Sequence, residues 1–118
     1  MCPADEGPRV EFHAKGLIVT DDPLPVPVPV ALRFDPGDDQ VRFVFPGGNE
    51  WVFPRDLLEA GLRAPARRGD VGVWPCGRVQ TVVELHVPDG VAMIQFESSA
   101  LVRFLSRTYA ATASYVTR

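Results

Sequence analysis

Residues 23–38 read PLPVPVPVALRFDPGD, with proline at Pro23, Pro25, Pro27 and Pro29. The fold of the whole chain turns on what this stretch forms. A spacing of two is the side-chain period of a strand. In a strand, one residue's N–H and C=O point to the same edge and the next residue's to the other. Pro25, Pro27 and Pro29 therefore remove donors from one edge only, and Val26, Val28, Val30 and Leu32 keep theirs for the opposite edge. The side chains sort in the same way. Val26, Val28, Val30, Leu32 and Phe34 share one face; Pro25, Pro27, Pro29, Ala31, Arg33 and Asp35 share the other. The pattern predicts an edge strand, blunted against pairing with other chains. A polyproline II segment over residues 23–29 is the alternative. The apolar alternation runs unbroken to Phe34, which favours the strand.

Working outward, Asp35-Pro36-Gly37-Asp38 is a turn, with Pro presetting φ and Gly open to positive φ at the third position. Val41, Phe43 and Phe45 then alternate with Arg42 and Val44. Pro46-Gly47-Gly48-Asn49 turns the chain again, and Trp51-Val52-Phe53 adds a third strand to the meander. Upstream, residues 10–14 alternate, and Lys15-Gly16 either turns the chain or passes straight into Leu17-Ile18-Val19. Downstream, Pro54 opens a helix of about two turns. Asp56 suits its N-terminus, Leu57, Leu58 and Leu62 face the core, and Gly61 is placed as the C-terminal cap. RAPARRGD, residues 63–70, reads as a loop. Strands follow over 71–74 (stopped by Pro75), 79–87 and 91–96, with a hairpin turn at Pro88-Asp89-Gly90. Ser98 or Ser99 caps a final helix whose stripe is Leu101, Phe104, Leu105 and Thr108. The expected class is α+β and mainly antiparallel β: meander sheets, a short middle helix and a C-terminal helix.

The 118 residues fit one domain, expected over residues 10–118 behind a flexible N-terminal tail, 1–9. The net charge is −3, which disfavours a nucleic-acid-binding protein, for which a basic domain is the expected footprint. Cys2 and Cys76 form no disulfide framework and read as free thiols in a reducing cytoplasm. MCPADEGPR lacks the basic start and apolar core of a signal peptide. No run approaches the ~20 apolar residues that span a bilayer, so membrane insertion is not expected.

Chemistry-bearing residues are sparse. His13 and His86 lie on mixed or polar strand faces and read as solvent-exposed. Cys76 and His86 are ten apart without a third ligand, so no metal site is expected. Asp21-Asp22 and Asp38-Asp39 sit in turn-forming sequence. Ser98-Ser99 lacks a neighbouring base, and Gly47-Gly48 opens no helix, so neither a nucleophile elbow nor a phosphate loop is present. Arg63, Arg67 and Arg68 form a small basic cluster, either a solvated loop or an anion or partner contact. Trp51 and Trp74 are core or core-edge aromatics, with an interface anchor as the alternative. No catalytic residue, cofactor-binding residue or metal ligand emerges, no cofactor is expected, and partner-binding residues are not identified at this level.

Four segments carry a resemblance. They are Leu24-Pro25-Val26-Pro27 with Leu32-Arg33-Phe34-Asp35; Glu50-Trp51-Val52-Phe53-Pro54-Arg55-Asp56-Leu57-Leu58 with Gly61-Leu62; Gly69-Asp70-Val71-Gly72-Val73-Trp74-Pro75; and Leu101 to Thr108, LVRFLSRT. In this order and spacing the chain resembles the SsgA-like sporulation and cell-division proteins of actinomycetes, nearest the SsgB branch. The resemblance implies a small non-enzymatic regulator or adaptor. Such a protein acts at the cytoplasmic side of the septum and helps to place and activate it, upstream of the FtsZ ring. It also implies a whirly-like fold and a homotrimer. The whirly likeness raises single-stranded nucleic-acid binding as the alternative function, although fold analogy is weak warrant and the charge speaks against it.

Overall fold

The structure, a computed structural model, describes residues 9–21 and 23–116. The chain runs through β1 (Val10–Val19), β2 (Val26–Phe34), β3 (Gln40–Val44), β4 (Glu50–Pro54), α1 (Arg55–Gly61), β5 (Ala66–Arg68), β6 (Val71–Cys76), β7 (Gln80–Val87), β8 (Gly90–Glu97) and α2 (Ser98–Val116). The eight strands form one sheet in the order β4-β3-β2-β1-β8-β7-β6-β5. Every pairing is antiparallel. The α+β, mainly antiparallel class expected from the sequence is what the structure has.

Two four-stranded meanders meet at β1 and β8, along a seam of three residue pairs from Leu17–Gln95 to Val19–Met93. The outermost strands, β4 and β5, are joined through the seven-residue α1 and a short loop. A helix of that length spans only about 10 Å, so the two ends of the sheet must approach each other and the sheet curls. The facing sides meet in the middle: Phe43 of β3 packs edge-on to Phe96 of β8 at 5.6 Å and against Phe53 of β4 at 5.0 Å. Lys15-Gly16 does not turn; β1 passes straight through. Gly16 is needed for clearance, because a Cβ there would sit 2.6 Å from Ile94 Cγ2.

The proline strand is confirmed, with a refinement. Val28, Val30, Leu32 and Phe34 are buried while Pro27, Pro29 and Arg33 are exposed. Yet β2 is not an edge strand as a whole. β1 pairs it along all nine residues, and β3 pairs it from Ala31 to Phe34. The Phe45 N–H bonds the Asn49 carbonyl, and from there the alternation of the ladder puts Pro27 and Pro29 on the β3 side. β3 has already ended there, so the missing donors cost no ladder bond. Pro75 uses the same device. The sequence predicts a stop, but β6 runs on to Cys76. The His86 N–H bonds the Asp70 carbonyl, which places Pro75 on the β5 side, beyond the last β5 pair at Val73.

Four further expectations are corrected. Residues 66–68 are a strand rather than loop, too short to show periodicity. Val79 lies outside β7 and is exposed. Gly37 keeps a negative φ; the turn closes with the Asp38 N–H on the Asp35 carbonyl and the Gly37 N–H on Asp35 Oδ1. Gly61 is the most instructive case. It is the last residue of α1 and has no positive φ; Leu62 is the cap, in right-handed geometry. Its role is close approach: a Cβ at Gly61 would lie 2.2 Å from Val73 Cγ1 and 2.8 Å from the Val73 carbonyl oxygen.

Leu57 and Leu58 of α1 and Leu101, Phe104, Leu105 and Thr108 of α2 are buried. Arg55 locks the two helices together. Its guanidinium donates to Thr112 Oγ1 at 3.0 Å and to Thr108 Oγ1 at 3.3 Å. It also stacks between the Tyr109 ring (3.9 Å) and the Phe34 ring (4.7 Å). The Tyr109 hydroxyl donates to the Glu59 carboxylate, so α1 grips α2 twice.

Gly61→Ala is expected to lower stability by about 1–3 kcal/mol, the usual range for overpacking against backbone, read as a shifted denaturant midpoint. Arg55→Lys keeps the charge but loses the planar fork and is expected to cost about 1–2 kcal/mol by the same measurement.

Candidate interaction surfaces

α2 closes one end of the curled sheet: it follows β8 directly, meets β1 at Phe12 through Phe104, and its Ser98 hydroxyl hydrogen-bonds Thr81 Oγ1 of β7 at 2.7 Å. The opposite ends of the same strands stay open. A cavity of about 600 Å³ lies there, lined chiefly by Ile18, Val28, Phe45, Trp51, Leu85 and Ile94, with Asn49 and Glu50 at the rim. The lining is mostly apolar and comes from both meanders, so it suits apolar side chains rather than a charged substrate. Trp51 therefore has a position in the mouth of the fold, one of the two alternatives its sequence left open.

Trp74 belongs to a polar cluster on the outer face. Arg67, Gly72 and Glu84 lie in one cross-strand row, and Gly72 leaves room for Arg67 to reach across it. A Cβ at Gly72 would be 3.3 Å from Arg67 Nη2. Arg67 Nη2 lies 3.2 Å from Glu84 Oε2, and Trp74 Nε1 donates to Glu84 Oε1 at 3.1 Å. His86 Nε2 is 2.9 Å from both Glu84 Oε2 and Arg67 Nη1. One nitrogen cannot serve both: protonated, it donates to Glu84; bare, it accepts from Arg67. Burial raises the Glu84 pKa. Hydrogen bonds from Trp74, Arg67 and His86 and the Arg67 charge outweigh that and hold it below its usual value. The cluster neutralises itself and braces β5, β6 and β7 together.

The sequence anticipates little of this. His86 is half-buried and engaged rather than free, whereas His13 is exposed beside Glu11 at 3.3 Å. The Arg63, Arg67 and Arg68 cluster is dispersed: Arg67 turns to Glu84, and Arg68 lies 3.9 Å from Asp56 across the sheet edge. Asp22 lies outside the described residues. Among those described, Cys76 is an exposed free thiol, no group of three side chains could hold a metal, and no helix is long and apolar enough to cross a membrane.

Comparison with known proteins places these features. Residues 27–114 match the model of the family described as Streptomyces sporulation and cell division protein, SsgA. The chain belongs to the SsgA family. SsgB of Salinispora tropica, a sporulation-specific cell division protein, is 39% identical over 88% of this chain and 80% of its own. SsgB of Streptomyces coelicolor is 39% identical over 86% and 78%. The fold is shared as well. A solved SsgB structure, from work on mutations that correlate with longitudinal cell division during sporulation of Streptomyces coelicolor, superposes with a TM-score of 0.83. It has 37% identity over 94% of this chain and 93% of that one. An SsgA-like sporulation-specific cell division protein from Thermobifida fusca gives 0.83 at 26% identity, covering 95% and 91%. Within this SsgA-family fold, the EWVFPRDLL string supplies the mouth (Trp51), the core (Phe53, Leu57, Leu58) and the helix lock (Arg55). GDVGVWP supplies the strand against which Gly61 rests.

Because the folded-state pKa of Glu84 is depressed, its contribution is present above the unfolded value near 4.5 and is lost as pH falls through the lower folded value. Glu84→Gln is expected to lower the melting temperature at neutral pH and to flatten its fall on acidification. Melting curves collected down the acid range check both.

Proposed function

We propose that this protein is a non-enzymatic regulator of septation, an adaptor that helps to place and activate the division septum during sporulation from its cytoplasmic side. The observation that carries the reading is the match, over most of both chains and at a TM-score of 0.83, to SsgB proteins named for sporulation-specific cell division. The apolar cavity of about 600 Å³ at the open end of the sheet is suited to gripping a neighbour's side chains. The division machinery, including the FtsZ ring, is the context in which such an adaptor works.

Self-association, as a homotrimer, is part of the reading. Leu24 is 79% exposed and Val26 50% exposed, and Val26 pairs with Ile18, a residue of the mouth. An exposed apolar knob beside an apolar socket gives a second copy of the chain a surface to dock on, and repeated head-to-tail that contact can close into a ring. Light scattering is expected to show a trimer that Leu24→Asp converts to monomer; a strictly monomeric parent protein would remove this part of the proposal.

Deletion in a sporulating host, followed by microscopy, tests the function itself. Sparse or misplaced sporulation septa, restored by the intact gene, are expected. Normal septation, together with a tagged protein spread evenly through the cell, would refute the reading.

A further inference from the structure

Every charged residue of α2 is a cation. Its nineteen residues, Ser98–Val116, include Arg103 and Arg107 and no aspartate or glutamate, on a chain of net charge −3. The two arginines are four apart and so leave the same helix face, about 6 Å from each other at their base. Both are exposed, and both are held over the ring of Phe12 in β1, with guanidinium carbons 5.6 Å and 5.2 Å from its centroid. Most of the other described arginines differ, and two that also lack an ion pair, Arg63 and Arg78, have no ring beneath them. Arg9, Arg33, Arg42, Arg67 and Arg68 each lie by a carboxylate, and Arg55 is turned into the helix lock. Arg103 and Arg107 take part in no ion pair among the described residues. The cation–π contact with Phe12 restrains both side chains and uses none of their N–H donors, so less rotamer freedom remains to be lost on binding. The outward helix positions beside them, Ser106 and Ala110, are small and exposed, which lets a backbone come close.

We propose that the Arg103–Arg107 face of α2, pinned over Phe12, docks an acidic peptide segment of a partner protein. An extended segment places alternate side chains on one side about 6.8 Å apart, close to the spacing of about 6 Å at which the two arginines leave the helix. Each fork takes one carboxylate bidentately. Single-stranded nucleic acid fits less well. Two cations make a short track, and the Phe12 ring is already engaged by both guanidiniums and by Phe104 at 6.4 Å, so a base would have to compete for it. The inference rests on the adaptor reading, but its test measures binding rather than septation, so either can fail without the other.

The test is fluorescence anisotropy of the full chain with a labelled synthetic peptide of alternating glutamate and alanine. A lysine–alanine peptide and oligothymidylate serve as comparisons. The acidic peptide is expected to bind, and to bind more weakly as salt is added. Arg103→Gln and Arg107→Gln are each expected to weaken it about fivefold, while Arg63→Gln, at a separate exposed arginine, leaves it unchanged. Melting curves confirm that each single variant is folded, so the comparison does not need the double variant. Absence of binding to the parent protein, unchanged affinity in both single variants, or oligothymidylate displacing the peptide would each overturn the proposal, the last in favour of a nucleic-acid face.

Discussion

The contact between Gly61 and Val73 is the constraint on which the rest of the structure depends. The two ends of an eight-stranded sheet are linked by a seven-residue helix, so that helix must lie flat on the strands it joins. It can do so only because the last residue of α1 has no side chain where β6 passes. With α1 seated, β4 and β5 are drawn together and the inner faces of both meanders close on Phe43 and Phe96. Arg55 then emerges at the place where α2 must cross. Fold closure, helix docking and the shape of the open mouth are one geometric solution, not three.

That solution divides the surface by function. Where charges meet on the outer sheet face, they satisfy one another: Glu84 takes Trp74, Arg67 and His86, whose hydrogen bonds hold its pKa below the usual value against the effect of burial. Such a cluster stiffens three strands and leaves little charge for a partner. The two surfaces not settled in this way, an apolar mouth at one end and the cationic face of α2 at the other, differ in chemistry and lie apart. Two such surfaces can be occupied at once without competing.

Much of the fold was legible because hydrophobic alternation survives in the long strands; from Pro27 to Phe34, β2 shows inward and outward residues in the order its sequence implies, and only Val26 at its start turns out exposed. What escaped was information that exists only between segments. The donorless side of Pro27 was readable, but not that a neighbouring strand would end beside it; for the same reason Pro75 read as a stop. Gly61 was read by the commonest reason for a helix-terminal glycine, although the operative reason was a strand packed against it from residues 71–76. Arg67 could not be matched to Glu84 while residues 66–68 looked like loop. Trp51 and Trp74 were flagged correctly as boundary aromatics, yet only the closed sheet decides that one lines a cavity and the other caps a carboxylate.

The seam between β1 and β8 has a consequence for how the molecule comes to exist. Leu17 meets Gln95 across it, so that contact must wait for nearly the whole polypeptide, while each meander is built from neighbours in sequence. Closing so distant a pair is entropically slow, and hairpins are fast. The N-terminal four strands can therefore form as a chain emerges from the ribosome, exposing Val30, Leu32, Val41 and Phe43 to solvent until β8 and α2 arrive to cover them. The interval before that cover arrives is when the nascent chain is most vulnerable to sticking. The donorless prolines of β2 already guard one side of the sheet during it.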